Sequence, residues 1–164
     1  TQDCYGPVMK SLKNEFRRDS VRLEENDKAI FFRIIWFICQ WWRVSSLMKQ
    51  KKQKSKTASL PLGQLIFTMD MFTFNLVLNA MDTFQQTKKH AHLAQSVALY
   101  REMMFQLLQM HQSLDPTENL MAVGLLDRIF YNSEPLDRLP KLLPKWAPGT
   151  HTREYLCDLV ELTH

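Results

Sequence analysis

Five lysines within eight positions, Lys49, Lys51, Lys52, Lys54 and Lys56, are the densest concentration of one chemistry in this 164-residue chain. Clustered ammonium groups neutralise phosphates and release counterions, which gives salt-sensitive, sequence-independent affinity for nucleic acid. The five together exceed the formal net charge of +4, so the remainder of the chain is slightly acidic. The competing reading is a solvated loop that keeps an apolar neighbourhood soluble, since no aromatic or arginine is interleaved. A nuclear-import signal is a third use of such a run.

Other reactive side chains are sparse. His90 and His92 stand two apart on a polar connection, where a solvated pair is the simpler reading than a metal site. Asp158, Glu161 and His164 share one side of a terminal helix. They read as an acidic stripe, solvated or partner-facing, rather than a ligand set, and Arg153, Asp158 and Glu161 are the candidate partner-binding residues. His111 falls at a helix end. Cys4, Cys39 and Cys157 are an odd number at no disulfide or metal spacing, which suits a reducing compartment. There is no glycine-rich phosphate loop, GxSxG or HExxH. The expectation is a non-enzymatic protein without cofactor.

The elements that must carry these residues are helical. Only 4 Gly against 9 Met and 10 Phe argue for helices packed by large adaptable side chains. Ala29–Val44 (AIFFRIIWFICQWWRV) is apolar around most of a helical circumference, with Arg33, Gln40 and Arg43 on one narrow stripe. Trp36 lies on that stripe, where Arg33 or Arg43 could cover its ring. The charges at Lys28, Arg33 and Arg43 make the run too short to span a membrane. The stretch is therefore expected to be a central core helix, covered on both sides, with Ile35, Phe37 and Ile38 including fully buried positions.

Around it, a helix is expected from Pro7 to about Arg18, with Val8, Met9, Leu12 and Phe16 on its apolar side. The core helix is capped by Asn26 or Asp27 and runs to about Met48. Gln50–Ser59 is expected as a flexible loop. Gln64–Gln86 is helical with a break near Asp70. His92–Ser113 is amphipathic, with Leu93, Val97, Tyr100, Met104, Leu107, Leu108 and His111 on one face. Gln95, Glu102, Gln106 and Gln109 form the opposite, polar face. Asp115, Pro116 and Glu118 form a capping-box start for the next helix. Four prolines restrict Leu136–Trp146 to short turns, and Thr150 or Thr152 caps a last helix, Arg153–Thr163.

Neither end carries a stop signal, so residues 1–164 are expected to be one helical-repeat segment of a larger domain. The fold class is all-α, an α-solenoid of HEAT or armadillo type with degenerate repeats.

Arg153–His164 resembles the RxxLxDLVExTH segment of the Timeless family. Ile129-Phe130-Tyr131 resembles that family's IFY segment at similar spacing, and Cys4-Tyr5 with Val8-Met9 and Leu12-Lys13 is similar to the start of the same region. The proline-rich stretch Pro135–Pro148 and the lysine loop depart from the family pattern. The resemblance implies the later part of an N-terminal helical-repeat domain and a nuclear, non-enzymatic scaffold of the replication fork. Its implied partners are a Tipin-like protein, the replicative helicase, a checkpoint mediator and duplex or forked DNA. Two alternatives stand beside it: a HEAT-like adaptor without DNA contact, and a relative with a circadian role.

Overall fold

The prolines and the polar connections cut the chain into helices too short to stand alone, so each must bury its apolar stripe on another. The computed structural model describes residues 2–18, 22–53, 62–131 and 137–164. Its helices are α1 (Gln2–Arg18), α2 (Glu25–Gln53), α3 (Met71–Gln86), α4 (His90–His111), α5 (Pro116–Tyr131) and α6 (Arg153–Thr163), with 3-10 helices at Leu62–Phe67 and Pro140–Lys145. No strand occurs among the described residues. The fold is all-α, helix packed on helix, as a solenoid fragment requires.

The centre is α4, which packs against α2, α3, α5 and α6. This corrects the expectation that Ala29–Val44 is the central element. It also explains why the polar side of α4 is not solvated. With neighbours on several sides, Glu102 and Gln106 are buried together with Leu93, Val97, Tyr100 and Leu107, whereas Leu108 and His111 are exposed. Phe74 of α3 meets Tyr100 edge-to-face at 5.5 Å.

Asp70 breaks the 62–86 stretch as its position suggests. Its carboxylate accepts from the Thr73 backbone N–H (2.9 Å) and hydroxyl (2.7 Å), capping α3. It also pairs with the buried Lys13 of α1 at 3.0 Å. Burial lowers the Lys13 pKa, and the Asp70 charge opposes that shift. Lys13 donates in addition to the Phe67 carbonyl, and Tyr5 bonds the Thr68 hydroxyl. A Cβ on Gly6 would stand 2.7 Å from the Phe67 ring, so a side chain there would have to displace that ring. Pro7 lies inside α1, not at its first residue, early enough that it sacrifices a single backbone bond.

Later elements follow their capping chemistry. Asp115 accepts from the Thr117 N–H (2.8 Å) at the start of α5. Glu118 accepts from the Ser113 hydroxyl (2.7 Å). Thr152, not Thr150, caps α6 by accepting from the Tyr155 N–H (3.2 Å). Arg138 ties the second 3-10 region to α3 through Asn79 and Asp82, each at 3.0 Å.

The largest departure from the sequence reading lies on α2. Ile35, Phe32 and Cys39 are fully buried, Ile38 is half-buried, and Phe37 is 63% exposed. Only one side of this nearly all-apolar helix is covered. Replacing Ile35 with Ala should therefore cost about 2–5 kcal/mol. Phe37→Ala should cost less than about 1 kcal/mol in dilute protein, as expected of a surface site. Denaturant midpoints of the two variants check this, and equal losses would mean that α2 is covered on both sides.

Candidate interaction surface

α2 continues to Gln53, so Lys49, Lys51 and Lys52 belong to its last turns. The expected loop 50–59 is thus helical through Gln53. Lys54 and Lys56 lie outside the described residues.

α2, α4 and α6 enclose an open groove of about 400 Å3. Small residues make its floor, because Ala91, Ala94 and Ala98 of α4 recur at helical spacing. Arg33 and Trp36 of α2 form one wall, and Tyr155, Asp158, Glu154 and Thr152 line the other. The floor is apolar and the walls carry opposite charge. Such a cleft has the lining to take a peptide or helix side chain.

The acidic wall is held by α4. Arg101 Nη1 donates to Asp158 Oδ1 at 3.0 Å, and its Nε bonds Glu161. Burial raises the Asp158 pKa, with the Glu161 charge adding to the rise and Arg101 working against it. The Arg101 guanidinium is itself raised; its own burial opposes the shift, but the bond to Glu161 and the charge of Asp158 outweigh it. Beside this clamp, Tyr155 is buried and its hydroxyl is pushed up to about 12 by desolvation.

Next to the groove, α4 begins at His90, and His90 Nδ1 lies 3.1 Å from His151 Nε2. The Ala147 N–H donates to His151 Nδ1 at 3.2 Å, which leaves the Nε2 of a neutral His151 to donate to His90. Burial, then the His90 charge, lowers the His151 pKa. His151 also stacks on Tyr155 at 5.1 Å. His92 instead packs on Phe84 at 5.3 Å. The two histidines expected as one solvated pair thus serve different contacts. No group of three or more His, Cys, Asp or Glu among the described residues is placed to hold a metal.

Of the proposed partner residues, Asp158 and Glu161 share Arg101, while Arg153 is exposed at the first turn of α6. Sequence reasoning missed Arg101, Trp36 as a groove wall, and His151. The small-residue spacing Ala91, Ala94 and Ala98 was the signal available for the floor. Cys39 is buried, its thiol pushed up to about 12 chiefly by desolvation, so it behaves as a small hydrophobe. Arg43 stands over Phe105 at 5.5 Å and not over Trp36.

Fold and surface together define a helix-packed protein with an open groove between α2, α4 and α6. Comparison gives a particular relative. The chain is similar to the protein timeless homolog of Mus musculus, 22% identical over 163 residues, which cover 99% of this chain and 13% of that protein. No family model matches the chain, and no solved structure does.

Removing Arg101 leaves Asp158 without its cation, which raises its folded pKa further above that of the unfolded chain. Raised acid pKa values mean stability that is present at low pH and lost as pH rises through them. Arg101→Gln should therefore cost about 1–2 kcal/mol at pH 7 and markedly less near pH 4. Thermal melts at both pH values check the sign; an equal loss would make the clamp energetically idle.

Proposed function

We propose that this chain is part of a Timeless-type scaffold that works, without catalysis of its own, at the replication fork in the nucleus. The observation that carries the reading is the similarity of nearly the whole of this chain to a part of the timeless homolog. It is supported by the helical packing and by where the most family-like segment falls. Within Arg153–His164, Tyr155 and Leu159 are buried, and Asp158 and Glu161 are clamped to α4. That segment closes the α2–α4–α6 groove, so a helical partner seated there would read it directly.

In this role the protein pairs with a Tipin-like chain and associates with the replicative helicase and a checkpoint mediator. The lysines at the end of α2 and just beyond it supply sequence-independent contact with duplex or forked DNA. The test is affinity purification of the full-length protein from cells. Helicase subunits and a Tipin-like chain are expected in the eluate, and the absence of both overturns the assignment.

A peptide-binding adaptor without DNA contact is the second reading, favoured by the groove itself. The lysines separate the two. If three to five of Lys49, Lys51, Lys52, Lys54 and Lys56 reach phosphates, log affinity for duplex DNA falls with log salt by about 0.9 per contact, a slope of about −3 to −4.5. A variant with all five changed to Gln should lose that slope in a salt titration. Equal affinity and slope for both proteins favour the adaptor.

A further inference from the structure

The turn that joins the second 3-10 helix to α6 is held in three directions. Within it, the Ala147 carbonyl accepts from the Thr150 and His151 N–H groups at 3.2 and 3.1 Å. Gly149 supplies the left-handed residue that the reversal needs, at φ 84°. Toward α6, Trp146 Nε1 donates to the carbonyl of Thr152, the residue that caps the helix, at 3.3 Å. Toward α4, the turn is joined by the 3.1 Å hydrogen bond between His151 and His90.

The bonds through the two imidazoles run in one direction. The Ala147 N–H donates to His151 Nδ1, and His151 Nε2–H donates to His90 Nδ1, so a neutral His90 carries its proton on Nε2. A further proton has no position that keeps both bonds. On His90 Nδ1 it meets the N–H of His151 Nε2. On His151 Nδ1 it meets the N–H of Ala147. Either way two donors face each other, and one contact must open.

The charged groups around the pair do not offset that proton. Glu25 of α2 is paired with Lys89, beside His90, and Asp158 is paired with Arg101. Glu154 is exposed at the first turn of α6, as are Arg153 and Lys145. His92 is turned onto Phe84. Tyr155, whose ring stacks on His151, keeps its hydroxyl proton, since desolvation pushes it up to about 12.

We infer that His90 and His151 form a pH-sensitive latch. As neutral imidazoles they hold the turn, and with it the start of α6, on the first turn of α4; uptake of a proton by the pair releases it. Burial and the His90 charge lower the His151 pKa, and the Ala147 backbone opposes that shift without reversing it. A folded value below the unfolded one means stability that is full above about pH 6.5 and is lost as pH falls toward the folded value. The release is local, because the buried Leu159 and the Arg101 clamp keep the rest of α6 in place. It reaches the groove, since Thr152, Glu154 and Tyr155 form its α6 wall. The inference does not rest on the Timeless reading.

The test is an NMR titration of the chain from about pH 8 to about pH 5. It follows the ring nitrogens of His90 and His151 and the indole N–H of Trp146. At the upper end both rings should be neutral with the proton on Nε2. His151 should titrate below about pH 6.5, and the Trp146 signal should move with the same midpoint. His90→Gln keeps an acceptor for His151 but removes the second ring charge, so the shared midpoint should rise by at least about half a pH unit. His151→Gln should leave the Trp146 signal flat, and circular dichroism should show the parent's helicity in both variants. A Trp146 signal that stays still while His151 titrates overturns the inference, and that outcome needs no variant. A proton on His151 Nδ1 at pH 8, a midpoint unmoved by His90→Gln, or a Trp146 shift that survives His151→Gln overturns it as well.

Discussion

A carboxylate in the middle of the helix stack sets the terms for the rest of this structure. Glu102 of α4 is 1% exposed, and an uncompensated charge there would cost several kcal/mol. α2 supplies the compensation. Arg43 Nε lies 3.1 Å from Oε1, and Gln40 Nε2 donates to Oε2 at 2.7 Å. Arg43 also donates to Gln40 at 2.7 Å, so the two α2 side chains hold each other as well as the acid. Gln106 completes the set by donating to Glu102 and to the Cys39 carbonyl, at 3.3 and 3.1 Å. The hydrogen bonds made by Gln40 and Gln106 have direction, which the ionic contact of Arg43 Nε and the surrounding apolar contacts lack. They therefore fix the rotation of α2 about its own axis.

That rotation decides which residues of α2 reach solvent. Gln40 and Arg43 must face α4, so Cys39, Ile35 and Phe32 follow into the core, and Ile30, Ile34, Phe37, Trp41, Val44 and Met48 form a ridge turned outward. On composition alone the opposite is expected, polar stripe out and apolar surface in. An apolar circumference states that a helix prefers cover but carries no information on how many neighbours it has. A polar stripe is equally silent on whether it meets water or a complementary stripe. Only the second polar stripe, Glu102 and Gln106 of α4, resolves the matter, and nothing in either stretch taken singly announces that the two meet. The same blindness explains why α4 passed for an ordinary amphipathic helix.

What was legible followed local chemistry. The break at Asp70, the cap at Asp115, the start of α6 at Thr152 and the burial of Cys39 depend on residues within a turn or two of each other. The groove did not, because its floor, its two walls and its ionic clamp come from three helices far apart in sequence. Asp158 and Glu161 were recognisable as a stripe worth attention, but their partner Arg101 lies 57 and 60 residues away. Their acidity serves the packing of α6 on α4 first.

This ordering bears on what similarity at 22% identity carries. The segment most like the Timeless pattern is not a free surface motif. Tyr155 and Leu159 are core residues, and its two acids are tied to α4. A pattern of that kind is first a requirement for docking one helix on another, and it transmits function through the shape it maintains. A distinctive surface lies elsewhere, on the outward ridge of α2. It is a consequence of how Glu102 orients that helix, so a substitution in the Gln40–Arg43–Glu102 set should change the exposure of the ridge without touching it. The outward face of α2 is thus coupled to the core through its pairing with one buried carboxylate.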